Sequence, residues 1–324
     1  MRSKFLRNLL AAPLALSLSG CHLVLLHSAG AVAARQSDLM IASVFLMLLI
    51  IVPVLIAIAV IAWRYRASAN PPDYDPDWEH SSTLEFVVWA APLMIIVALG
   101  AMTWIGTHQL DPYRPVDHAD YPNSVAPNVK PLRIEVVSLE WKWLFLYPDY
   151  GIATVNQVAA PVGVPIQFHL TAATMMDSFF VPAIAGQIYT MPGMQTVLHA
   201  VVDRPGSYRG FSANFSGSGF TDMRFRFLGM SAGDFARWVA GVKAHGGTLD
   251  RAAYLRLAVP SRAEPIHDYA IVSPDLYSRI LDRCIEPGTT CMSRTMARDA
   301  VRQRRPREPC PRIAPLSSIS FSGA

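Results

Sequence analysis

A chain of 324 residues has room for one or two domains, and 52% hydrophobic residues is a high share for a protein that lives wholly in water. A formal net charge of +4 gives no case for a nucleic-acid partner, and the basic excess sits largely after Arg294. The apolar excess is concentrated near the N-terminus, which predicts membrane spans followed by a more polar remainder.

Residues 1–20 read as a lipoprotein signal peptide. Arg2, Lys4 and Arg7 form a positive start, and residues 9–18 form an apolar core too short to cross a bilayer. Leu18-Ser19-Gly20-Cys21 fits a lipobox, in which the Cys21 thiol carries the lipid and the mature chain starts on the outer face of a bacterial inner membrane. Residues 39–63 and 84–106 are apolar runs that, at ~1.5 Å per residue, each cross a ~30 Å hydrocarbon core. Together they predict a lipid-anchored transmembrane hairpin over residues 21–106. Trp63, Tyr65, Trp78, Trp89 and Trp104 lie near the span ends and suit the headgroup belt. Arg64 and Arg66 place the connecting loop in the cytoplasm, whereas Arg35 argues the other way. A lipidated Cys21 must be outside, which decides for a periplasmic N-terminus and a periplasmic chain from about Thr107 onward. Glu85 is the acidic group at the cytoplasmic mouth of the second span. Its residue type and place fit either a first-turn partner of the helix dipole or a functional carboxylate.

From Lys130 the texture changes to β-branched and aromatic runs. Strands are predicted over residues 132–139, 141–147, 164–171, 195–202 and 223–229, with turn chemistry at 149–151, 161–163 and 204–206. This spacing predicts an all-β Greek-key domain over residues 107–230. Residues 231–293 are predicted to form a helical extension. One helix covers 234–243 with Phe235, Trp238 and Val239 on one face, a loop-rich stretch follows, and a short helix lies around 274–284. Residues 294–324, rich in Arg and Pro without apolar periodicity, predict a disordered tail. An oxidising periplasm permits a Cys284–Cys291 bridge and leaves Cys310 odd.

A search for self-sufficient chemistry in the outer domain finds none. Ser212, Ser216 and Ser218 share a Gly-rich loop without a nucleophile elbow or a paired His and Asp. The sequence contains neither a P-loop nor a dinucleotide fingerprint. His169 and His199 fall singly on predicted strands, where a packed or hydrogen-bonded role outweighs a ligand role.

The order of two spans and a β domain, with its motifs, resembles subunit II of the haem-copper terminal oxidases over residues 39–243. The markers are Glu85-Phe86-Val87-Val88-Trp89, Thr107-His108-Gln109-Leu110-Asp111-Pro112, Trp141-Lys142-Trp143, Gly151-Ile152-Ala153-Thr154-Val155-Asn156, Ser178-Phe179-Phe180-Val181-Pro182 and the run Gln187 to Thr196. Together with the lipobox they are similar to the quinol-oxidising branch, the cytochrome bo-type ubiquinol oxidases. The resemblance implies a cupredoxin-like fold for the outer domain.

In the cytochrome c-oxidising relatives that domain holds a binuclear copper through a Cys-x-x-x-Cys-x-x-x-His-x-x-Met cluster and an earlier His. On that frame the two thiolate positions are Ser212 and Ser216, the His position is Phe220, and the Met is Met223. Asn214 stands for the carbonyl-donating Glu, and Asp177 for the earlier His. Hydroxyls do not bridge two coppers at neutral pH, so the resemblance implies no metal and no redox cofactor in this chain. Haems, one copper and the catalytic residues are implied for a partner, subunit I, accompanied by further small membrane subunits, with ubiquinol as the electron donor. The resemblance also raises Glu85 to a candidate proton entry. Two alternatives are a cytochrome c-type oxidase subunit with a degenerate outer domain, and a membrane-tethered binding or assembly lipoprotein that reuses the fold.

Overall fold

The computed structural model describes residues 24–66, 68, 77 and 79–304. The signal segment, Cys21, Trp78, Cys310 and the chain after residue 304 lie outside the described residues.

Two long helices come first: α1 (Ala31–Arg64) and α2 (Ser82–Gln109). Thirty-four residues at ~1.5 Å each make α1 about 50 Å long, more than a bilayer core requires. The excess lies at its outer end, where Ala31, Val32, Ala33 and Ser37 are buried against the β domain. Beyond them the side chains are apolar and exposed on every face, as Phe45, Leu55, Trp89 and Met94 show. Only lipid or a partner helix solvates such a surface, and both helices are long and apolar enough to cross a membrane. Pro53 and Pro92 sit inside the helices, and Ser81 caps α2 by accepting from the Leu84 amide.

Backbone hydrogen bonds fix the membrane unit to the outer domain. The Ala29 and Gly30 amides donate to the Ala183 carbonyl at 2.6 and 3.1 Å, and the Asp203 amide donates to the Ala29 carbonyl at 2.7 Å. A Cβ at Gly30 would lie 2.4 Å from the Val201 carbonyl oxygen, so only glycine allows this approach. Arg35, ambiguous in the sequence, lies against the outer domain. Its guanidinium donates to the Asp120 carbonyl and stacks 4.0 Å over the Tyr121 ring.

The outer domain begins with strands β1 (Leu132–Leu139), β2 (Lys142–Tyr147), β3 (Ile152–Val155), β4 (Gln157–Pro161) and β5 (Ile166–Ala172). Then come β6 (Asp177–Phe180), β7 (Ile188–Thr190), β8 (Thr196–Ala200), β9 (Gly206–Ser212) and β10 (Arg224–Met230). The chain closes with α3 (Ala232–His245), β11 (Gly247–Leu249), α4 (Arg251–Leu257), β12 (His267–Val272), α5 (Leu276–Leu281) and α6 (Met292–Arg304). One sheet runs β11-β12-β3-β2-β1-β5-β8 and the other β4-β10-β9-β6-β7. The β1–β5 and β4–β10 pairs are parallel, so the sheets are joined by crossovers rather than a simple meander.

Strand β2 shows why its sequence is almost unbroken apolar. Trp143, Phe145 and Tyr147 face the core between the sheets, packing with Phe179, Phe225 and Phe227. Leu144 and Leu146 point the other way into a second core with Tyr254, Leu257, Leu276 and Ile280. A strand buried on both faces carries no polar alternation. The second core corrects the expected helical extension over residues 231–293. The stretch read as loop-rich holds α4 and two strands, and β12 pairs antiparallel with β3. The expected disordered tail at residues 294–324 is corrected only for residues 294–304, which belong to α6 (Met292–Arg304), and the remainder lies outside the described residues. Its start is fixed from outside: the Ser293 amide and hydroxyl donate to the Asp282 carboxylate at 2.7 and 2.6 Å, beside a Cys284–Cys291 disulfide.

Candidate functional site

The residues at the six degenerate copper positions come together at one end of the domain, on β6, the end of β9 and the loop that follows it. Asp177 opens β6 and is 2% exposed. Its carboxylate accepts from the Ser138 hydroxyl at the end of β1 and from the Ser212 hydroxyl at 3.3 Å. The Ser212 hydroxyl also stands 3.2 Å from Asn214 Oδ1 and accepts from the Ser178 amide at 3.4 Å. Ser216 is 6% exposed, and among the described residues its hydroxyl meets no partner in full hydrogen-bond geometry. Met223 is fully buried in the inter-sheet core, and its carbonyl accepts from the Ser212 amide at 3.2 Å. Phe220 begins a single 3-10 turn and packs edge-on against Phe215, ring centres 5.8 Å apart.

Burial pushes the Asp177 carboxyl above the ordinary carboxylate range. Hydrogen bonding from the Ser138, Ser216 and Ser212 hydroxyls opposes that shift. Trp141 roofs the loop. It occupies the second position of the two-residue β1–β2 turn at φ 64°, a left-handed conformation rare for a bulky residue. Its indole donates to the Ser216 carbonyl at 2.9 Å, and a Cβ on Gly219 would lie 2.2 Å from the ring. The strained turn and the bare glycine together let the ring lie flat on the loop.

The binuclear copper of the resembled family does not fit these residues. That centre needs two bridging thiolates and two imidazoles, whereas the donors here are one carboxylate, three hydroxyls and an amide, with a buried thioether behind them. Hard oxygen donors of this kind disfavour Cu(I), and the phenyl ring of Phe220 has no lone pair to offer.

A second polar cluster, not anticipated from the sequence, joins the outer domain to its C-terminal part. The Lys142 side chain is 2% exposed, and its ammonium donates to the Val259 carbonyl at 2.8 Å and to the Ser261 hydroxyl at 2.5 Å. Glu264 lies 3.7 Å from it and accepts from the Ser261 hydroxyl and, at 2.8 Å, from His267. The Ser261 hydrogen bond, then His267 and Lys142, hold the Glu264 carboxyl below its usual range against a smaller opposing effect of burial. Burial pushes Lys142 down despite the opposing Glu264 charge. The signal for this clasp was a lysine between two tryptophans in a strand, a place where an unpaired charge is not tolerated.

The other sequence candidates stand apart. Glu85 lies in the first turn of α2, exposed, with its carboxylate 3.2 Å from His80 Nδ1. Cys284 and Cys291 are bonded, S–S 2.11 Å, far along the chain from the cluster. His169 and His199 lie on neighbouring strands β5 and β8, each with a buried Nδ1 that lacks a partner. Burial lowers both, with Arg133 adding to the effect on His169 and His169 adding to that on His199.

Residues 151–226 match the family model described as cytochrome c oxidase subunit II, periplasmic domain, and residues 243–288 match the COX aromatic rich motif. The first match encloses the Asp177–Met223 cluster, and the second coincides with the elements that build the second core. The chain is 46% identical over 268 residues to cytochrome bo(3) ubiquinol oxidase subunit 2 of Pseudomonas putida, covering 83% of this chain and 82% of that protein. It is 44% identical over 269 residues to the Pseudomonas aeruginosa protein of the same description, covering 83% and 78%. To ubiquinol oxidase subunit 2 of Acetobacter aceti it is 42% identical over 267 residues, covering 82% and 84%.

Proposed function

The chain belongs to the ubiquinol oxidase subunit 2 family of the cytochrome bo type, and on that premise we propose how it serves a quinol:oxygen oxidoreductase. It is the membrane-anchored second subunit, packed against a haem-copper subunit I and further small membrane subunits in a bacterial inner membrane. Cys21 carries a lipid, and the β domain caps the periplasmic side. The haems, the single copper and the reduction of oxygen reside in subunit I, and quinol delivers its electrons there directly. Two quinols release four protons and give up four electrons, and those electrons with four protons taken up by the complex reduce one O2 to two waters, with proton translocation coupled to the transfer. This chain relays no electron in that scheme.

The observation that carries the reading is the replacement of the copper ligands by a closed hydrogen-bonded set, Asp177 with Ser138 and Ser212, roofed by Trp141. An outer domain without a thiolate-bridged centre has no acceptor for an electron arriving from a soluble cytochrome. The Trp141–Trp143 pair then serves packing: Trp143 is fully buried against Phe179 and Phe225. Glu85, at the membrane mouth of α2, offers a proton acceptor toward subunit I.

Purification with the native partners, followed by metal analysis and assays with quinol and with reduced cytochrome c, tests this. Copper confined to subunit I and turnover with quinol alone are expected. Copper retained by this subunit, or turnover with cytochrome c and none with quinol, would overturn it.

A further inference from the structure

The cluster at the end of β6 and β9 is crowded with oxygen in a way that hydrogen bonds alone do not account for. The Ser212 hydroxyl has one proton, yet it faces three acceptors: Asp177 Oδ1 at 3.3 Å, Asn214 Oδ1 at 3.2 Å and the Asn214 carbonyl at 3.4 Å. All three separations exceed the ~2.7–2.8 Å at which O–H···O bonds usually settle. The Asn214 amide is held in this orientation, because its nitrogen donates to the Met176 carbonyl at 3.2 Å. The Ser138 hydroxyl occupies Asp177 Oδ2, which leaves Oδ1 turned toward Ser212. Ser216 supplies an independent sign. Its hydroxyl is more than nine-tenths buried beside the same carboxyl and, among the described residues, meets no partner in full hydrogen-bond geometry, where a native interior normally satisfies such a group.

We propose that Asp177, Ser212, Asn214 and Ser216 bind a sodium ion. Around a cation with oxygens at ~2.3–2.6 Å, adjacent octahedral ligands stand roughly 3.3–3.7 Å apart, whereas the ~2.0–2.1 Å bonds of magnesium bring them to about 2.9 Å. Two of the three separations around Ser212, 3.3 and 3.4 Å, fall in the larger cation's range, and the third, 3.2 Å, lies nearer to that range than to magnesium's. Charge selects among larger cations. One carboxylate neutralises a monovalent ion, while a divalent ion would leave a net positive charge in a buried site. The ion supplies the Ser216 hydroxyl with a partner and separates the acceptors around Ser212. It carries no redox chemistry and pins the loop after β9 to β6 beneath the Trp141 ring.

The test uses the complete oxidase, purified and dialysed against labelled sodium chloride, with choline chloride holding ionic strength constant. Sodium bound per complex is compared among wild type, Asp177→Asn and Ser216→Ala. One equivalent fewer in each variant, or an affinity at least tenfold weaker, is expected. An equal count and affinity in all three would overturn the site, as would displacement of the ion by micromolar calcium. Thermal melting of Ser216→Ala keeps the proposal testable should Asp177→Asn fail to assemble. If the hydroxyl is a ligand, its loss lowers the melting temperature in sodium and not in choline. If it is only an unsatisfied group, its loss leaves the melting temperature equal or higher in both salts, and the proposal fails.

Discussion

At the scale of single residues, the positions that differ most from ordinary protein chemistry are the informative ones. Trp141 holds a left-handed backbone, Lys142 is buried, and Asp177 is buried among hydroxyls. Each is over-determined by neighbours from distant parts of the chain, which is how a strained or desolvated residue persists. Glu85 is the opposite case: it is exposed, and its carboxylate meets His80 at 3.2 Å, the one ion pair it makes among the described residues. Replacing Glu85 by Ala is expected to slow quinol-dependent proton uptake severalfold while assembly and haem content stay normal. Unchanged uptake would remove it from the proton path. Buried His199 and half-buried His169 predict a pH effect of definite sign. Burial lowers His169 and His199 in the folded domain, so the unfolded chain binds more protons as pH falls from the ordinary value of about 6.5. Stability present above that pH is therefore lost on acidification through the lower folded values. Thermal melts from pH 7.5 to 5 should show the loss, and His199→Gln should flatten the curve.

At the scale of elements, the C-terminal helices depend on cross-links more than on propensity. α5 has six residues and α6 is exposed over residues 293–301, so neither is stable as an isolated helix in water. The Cys284–Cys291 bond closes a short loop between them, and Asp282 receives the Ser293 amide at the start of α6. A loop of this size is worth about 2 kcal/mol on the chain-entropy estimate. Cys284→Ser should lower the local stability of α5 and α6 by about that amount. Amide exchange, speeded tens-fold there and unchanged in β1, β2 and β5, is the measurement that checks it.

At the scale of the whole molecule, the protein has two cores sharing one sheet. Val137, Leu139, Leu144, Leu146, Ala153 and Val155 are buried beneath α4 and α5, on the face of the large sheet turned away from the first core. At roughly 2 kcal/mol for each large apolar side chain, exposing this face costs on the order of the 5–15 kcal/mol that stabilises a typical domain. Truncation after residue 242 is therefore expected to abolish accumulation of the subunit in the membrane. A truncated chain that assembled with an unchanged melting temperature would show the second core to be dispensable.

Much of this was legible in the sequence because it is local. An apolar run long enough for a bilayer core reads as a span from its own residues, and Ser212 and Ser216 offer no thiolate and Phe220 no lone pair for a copper centre in any fold. The apolar strand at residues 142–147 said that both its faces are buried without saying by what. Tertiary structure alone decided the rest. β11 is too short and β12 too weakly patterned to declare itself, and they exist as strands because β3 offers an edge to β12 and β12 one to β11. The oxygen cluster is likewise a product of folding, since Ser138, Asp177 and the stretch that carries both Ser212 and Ser216 come from separate parts of the chain. Composition and spacing fix which atoms a chain has to offer, whereas only sheet register brings a particular carboxylate against particular hydroxyls and buries them together.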